Sequence, residues 1–168
     1  MQRRRLLKIG LAATALLTLA GGGLALLRPG LVRGRLTPDA ISVFEAIARA
    51  VLDGSLPIDI HEREVAISAH LKRLDDAVAS FPAATQAELS QLLALLVSAP
   101  GRSGLAGLLS PWPEATVSDL QQALQGMRTS TLALRQQTYH ALRDLTNAAY
   151  YADFTAWPLL GYPGPTLV

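Results

Sequence analysis

The residues most able to do chemistry in this chain are its three histidines, His61, His70 and His140. A helical bundle that holds paired metal ions places Glu and His three residues apart on facing helices. Here the positions three ahead are Ile58, Ile67 and Gln137, so that signature is missing. His61 and Glu64 do stand at i and i+3. A metal site needs three or four converging ligands, however, and one such pair reads as a solvated helix face. There is no cysteine, which removes disulfides, thiolate zinc, iron–sulfur clusters and C-x-x-C-H haem attachment. Gly101-Arg102-Ser103-Gly104 imitates part of a nucleophile elbow, but Leu105 replaces the closing glycine and no strand precedes it. Asp75-Asp76 and the Glu62/Glu64 pair read as surface acids. The residue types point away from an enzyme acting alone, and no catalytic, cofactor or metal-binding residue is assigned.

Charge divides the chain of 168 residues in two. Seven of the fifteen basic residues precede Leu36, with no acid among them. From Leu36 onward eight Lys/Arg face thirteen Asp/Glu, a net charge of −5. The isoelectric point of about 9.3 therefore describes the leader, not the domain. A mildly acidic domain lacks the clustered basic face that phosphate backbones need, which argues against nucleic acid as its partner.

Residues 1–35 read as an export signal or signal anchor. A basic cluster is followed by an uncharged run from Ile9 to Leu27, the pattern that leaves its cations in the cytoplasm and sends its apolar part into the bilayer. Gln2-Arg3-Arg4-Arg5-Leu6-Leu7-Lys8 resembles the twin-arginine signal. Arg3 and Arg4 match its pair, Leu7 and Lys8 match its end, and Leu6 takes the place of its phenylalanine. That resemblance implies passage through the twin-arginine translocase in a folded state and a periplasmic destination. No Ala-x-Ala stands between the end of the apolar run and Leu36, and nineteen residues of helix would span about 28 Å, the thickness of a bilayer core. Retention as an inner-membrane anchor is the companion expectation.

Residues 36–155 carry helix punctuation. Thr37-Pro38-Asp39 offers an N-cap, a proline at the first helical position and an early acid. Ile41, Phe44, Ile47, Val51 and Leu52 follow at helical spacing until Gly54. Asp59 and Glu62 predict a cap for a second helix with a stripe of Ile60, Ile67, Leu71, Leu74, Val78 and Phe81, ended by Pro82. Thr85 with Glu88 predicts the start of a third, bearing Leu89, Leu92, Leu93 and Leu96. An irregular link tucks in Leu105, Leu108 and Leu109. Thr116 and Asp119 cap a shorter helix, and a long one runs from about Thr131 to Tyr151. Nothing alternates with a period of two, so no sheet is expected. The expected class is all-α: an irregular bundle of about five helices, preceded by the signal helix and followed by an extended tail.

That tail, residues 156–168, is rich in proline, glycine and aromatic residues. Six of the nine aromatics fall in the last thirty positions: Tyr139, Tyr150, Tyr151, Phe154, Trp157 and Tyr162. Trp157-Pro158, Tyr162-Pro163 and Pro165 forbid a continuing helix and favour extended backbone, while Gly161 and Gly164 permit turns. A stiff segment that offers large amphipathic rings is suited to anchoring an interface. The expected docking residues are Tyr150, Tyr151, Trp157, Gly161, Tyr162, Pro163, Gly164 and Pro165. The alternative is that Tyr151 and Trp157 only cap the open end of the bundle.

The twin-arginine leader, Leu36-Thr37-Pro38 opening a helix, the small helical domain, the closing Ala149-Tyr150-Tyr151, and Trp157 followed by Gly161-Tyr162-Pro163-Gly164-Pro165 together resemble the small (subunit 3, or gamma) chain of gluconate 2-dehydrogenase-type complexes. The resemblance implies a large partner of the glucose–methanol–choline oxidoreductase family that binds FAD, often with a cytochrome c subunit. It implies that the small chain has no cofactor, supplies the export signal, and supports folding and FAD retention of the large one. Two other readings compete with it: a membrane-anchored envelope scaffold, and a periplasmic binder of an apolar ligand between helices.

Overall fold

The computed structural model describes residues 27–161, and the export motif Arg3, Arg4, Leu6, Leu7 and Lys8 lies outside them. The described chain opens on a small antiparallel ribbon where no sheet was expected. Strand β1 (Leu31–Val32) pairs with β2 (Arg35–Leu36) in the register Leu31 to Leu36 and Val32 to Arg35. Arg33 and Gly34 turn the chain with φ of 51° and 77°, the two positive values of a type I′ hairpin. Strands of two residues are too short to leave a period-two signal in a sequence. Leu31 and Leu36 are buried and belong to the main core. The Gly30 amide donates to the Ser90 carbonyl at 3.2 Å, and the Leu36 amide to Asp75 Oδ1 at 2.7 Å. The folded part thus begins ahead of Leu36, inside the stretch that charge alone assigns to the leader.

Five long helices follow. Helix α1 (Pro38–Val51) starts where Thr37 Oγ1 accepts the Ala40 amide. It runs through the centre, with Ala40, Val43, Phe44, Ala46, Ile47, Ala48 and Ala50 all buried. Helix α2 (Ile60–Ala79) is capped by Asp59, whose carboxylate accepts the Glu62 amide at 3.0 Å. Its first buried position is Ile67. Ile60, expected in the buried stripe, is 71 % exposed, and every residue from 60 to 65 is exposed with it; among the described residues the packing of α2 begins at its second turn.

Helix α3 (Ala83–Val97) begins directly after Pro82, ahead of the expected Thr85 cap, and no side chain caps it. Gln86 ties the two helices together: its Nε2 donates to the carbonyls of Val78, Ala79 and Phe81, so the end of α2 and the short connection are bonded from the first turns of α3.

The link to the next helix contains a single α turn (Ala99–Gly101), a π turn (Arg102–Ala106) and a 3-10 turn (Trp112–Glu114). Leu105 and Leu108 are buried as expected, whereas Leu109 is 84 % exposed. Trp112 fills the core instead and donates from Nε1 to the Leu96 carbonyl at 2.8 Å.

Thr116 and Asp119 form a reciprocal capping box at the start of helix α4 (Val117–Arg128), which buries Leu120, Ala123, Leu124 and Met127. Helix α5 (Ala133–Tyr151) packs against α1, α2 and α4. The described residues are all-α apart from the hairpin. Among the described residues no helix is long and apolar enough to cross a membrane.

Candidate docking surface at the C-terminal turn

Helix α5 ends in a way that uses the aromatic residues beyond it. The last four carbonyls of a helix lack intrahelical partners and must be satisfied from outside. Ala148 accepts the Ala152 amide at 3.1 Å, and Ala149 accepts Arg73 Nε at 3.0 Å. Tyr150 accepts the Asp153 amide at 3.3 Å, and Tyr151 accepts Trp157 Nε1 at 2.9 Å. All four acceptors are filled.

The chain then turns as a 3-10 helix, Phe154–Leu160, where extended backbone was expected from residue 156. Asp153 sets the turn up. Its Oδ1 accepts Thr155 Oγ1 at 2.7 Å and the Thr155 amide at 3.0 Å, while Oδ2 pairs with Arg73 at 2.9 Å. Those bonds from Thr155, with Arg73 beside them, hold the Asp153 carboxyl below its usual range.

The tyrosines pin a second segment to the same end. Tyr150 is 5 % exposed and donates its hydroxyl to the Ser55 carbonyl at 2.7 Å. The Tyr151 hydroxyl shares a hydrogen bond with Ser55 Oγ at 3.3 Å, and the two rings meet edge-on at 5.2 Å. Tyr150 and Ala156 pack with Ala48 and Leu52 in a small cluster of their own. His70 is fully buried, its ring set edge-on to that of Tyr150 with the centroids 6.1 Å apart. Neither of its ring nitrogens has a hydrogen-bond partner among the described residues. Burial, with the Arg73 charge second, lowers its pKa to about 4.

The expected docking residues therefore separate. Tyr150 is internal, packed against Ala48, Leu52 and Ala156. Tyr151 and Trp157 are half-buried, and Gly161 is exposed at φ 69°. Tyr162, Pro163, Gly164 and Pro165 lie outside the described residues. Tyr151 and Trp157 turn part of their polar atoms inward, to Ser55 Oγ and to the Tyr151 carbonyl, and large apolar side chains elsewhere in the domain are more exposed. Phe154 is 71 % exposed, Ile58 92 %, Ile60 71 % and Val65 56 %. Arg63 fixes the loop that bears Ile58, donating to the Pro57 carbonyl at 2.9 Å and to the Ile58 carbonyl at 3.0 Å.

Sequence reasoning missed Ile58, Phe154, Arg73, Asp153 and Ser55. Asp153-x-Thr155 directly after a helix was a readable turn signal; the others carry none. His61 and Glu64 are both exposed, and among the described residues no three His, Asp or Glu side chains gather as metal ligands. Ser103 donates to the carbonyls of Ala99 and Pro100 within the irregular link, as a turn residue does. Comparison with protein families, with curated proteins and with solved structures finds no match to this chain.

Proposed function

We propose that this chain is a non-catalytic accessory subunit of an exported oxidoreductase. In this reading it binds a large FAD-dependent dehydrogenase of the glucose–methanol–choline type. It supports folding or cofactor retention in that partner and carries it to the periplasm through the twin-arginine translocase. FAD belongs to the partner, and a cytochrome c subunit completes the complex where electrons leave it. One observation supports the docking role most directly: Ile58, Ile60, Val65 and Phe154 stand exposed on segments that are themselves held by hydrogen bonds. Apolar side chains presented on a bonded frame lose little freedom on binding, which is what a lasting contact needs.

The test is a pull-down of the full chain from its native host with an absorbance scan of the eluate. A larger chain in fixed ratio, showing the visible bands of oxidised flavin, is the expected result. A colourless eluate, with the chain alone or with an unrelated envelope protein, would sink the reading in favour of an anchored scaffold.

A further inference from the structure

Almost no chain separates the apolar leader from the folded domain. The uncharged run ends at Leu27, and only Arg28 and Pro29 precede Gly30. Gly30 is already fixed: its amide bonds the Ser90 carbonyl, the Leu31 amide bonds Ser90 Oγ at 3.0 Å, and a Cβ on Gly30 would clash with Leu93 Cβ. Two extended residues reach about 7 Å, and Pro29 keeps Arg28 extended. A peptidase that takes an extended substrate across this junction would have to pull Leu31, 8 % exposed, out of the core.

The outer face of the hairpin has its own chemistry. Arg28 and Arg33 are exposed, and neither forms an ion pair among the described residues. Asp75 and Asp76 are both engaged by Arg35. Val32 is 53 % exposed on the face opposite the buried Leu31 and Leu36. Arg33 sits at positive φ, where Asn or Gly would be unstrained, so a cation is kept at the tip against the preference of the backbone.

We propose that the leader stays attached and holds this hairpin face on anionic phospholipid, with Arg28 and Arg33 at the phosphates and Val32 at the interface. The proposal rests on the export role of the leader in the reading above, not on the flavoprotein. The tether of about 7 Å keeps Arg28 within the Debye length of about 8 Å at physiological salt, so the surface potential acts on it, while Arg33 at the turn is brought to the phosphates only when the Val32 face lies against them.

A chain without cysteine allows a clean test. Val32→Cys, Ile58→Cys and Leu109→Cys variants of the full chain are each labelled with a fluorophore. They are then reconstituted in phosphatidylglycerol-containing vesicles that carry a headgroup nitroxide. Quenching several-fold stronger at position 32 than at 58 or 109, and reduced by Arg28→Glu with Arg33→Glu, is expected. Protein from host membranes should also keep residues up to Leu27 by intact mass. Equal quenching at the three positions, or insensitivity to the charge reversals, overturns the contact. An exported chain trimmed beyond Leu27 overturns the retention alone. A chain that keeps its leader in the cytoplasm defeats the export reading and this inference with it.

Discussion

The Arg73 guanidinium joins two elements at one point: it donates to the Ala149 carbonyl at 3.0 Å and pairs with Asp153 at 2.9 Å. The side chain of α2 thereby finishes α5 and holds the turn that follows. Arg73→Ala should cost about 1–2 kcal/mol, since a half-buried ion pair and one charged hydrogen bond are lost together. Hydrogen exchange should rise at residues 152–157 well before it rises in α1. Uniform exchange in the variant would show that the turn does not depend on this contact.

Asp153 adds a pH dependence. Its carboxyl is held below the ordinary value by Thr155 and Arg73, so the folded state favours the ionised form. That contribution is fully present above the unfolded pKa of about 3.9 and is lost as pH falls through the lower folded value. Asp153→Asn should remove this acid-side slope, read from melting temperatures in a series of buffers.

His70 acts in a higher window. Its folded pKa of about 4 lies below the ordinary 6.5 because burial, and then Arg73, disfavour the charged ring. The unfolded chain therefore takes up the proton first. Stability should be greatest above pH 6.5 and fall by roughly 3 kcal/mol as pH drops toward 4. His70→Leu should flatten that fall and leave stability at pH 7 equal or higher, because among the described residues the buried ring nitrogens have no partner to lose. An unchanged slope in denaturant titrations at pH 7 and pH 5 would assign the dependence elsewhere.

Trp112 is held by packing and by one bond. Trp112→Phe keeps most of the apolar volume but leaves the Leu96 carbonyl without its 2.8 Å donor, at a cost of about 1–3 kcal/mol. Trp112→Ala adds a cavity, for a total nearer 3–5 kcal/mol. Equal losses for the two variants in urea unfolding would show that volume contributes nothing beyond the bond.

The docking surface makes the last prediction. Ile58→Asp and Phe154→Asp change exposed side chains, so melting temperatures should stay within about 2–4 °C of the parent. Recovery of the flavoprotein in the pull-down should fall at least tenfold for the pair together. Full recovery with both substitutions would move the interface away from this end of the domain.

Local signals in the chain determined the helices and most of their ends. Thr37-Pro38 and the Thr116/Asp119 box act within one turn, so residue type and spacing carry the whole explanation. Buried Phe44, Ile67, Leu74, Leu120 and Met127 were legible because a helical stripe repeats whether or not its partner is known. What lay outside that reach depends on residues far apart in sequence. Ile60 continues the stripe of α2 yet is exposed, since among the described residues no helix covers that end. The Gln86 amide reaches back to the end of α2, a contact that spacing along α3 does not announce. Tyr150 reads as an anchor for a partner, but only the packed molecule places Ser55, His70 and Leu52 around it. Arg73 looks like any surface cation until α5 brings its last carbonyls alongside. Spacing along one helix is set by backbone geometry and can be read from sequence. Which face is covered, and which polar group meets which, is decided when the helices come together.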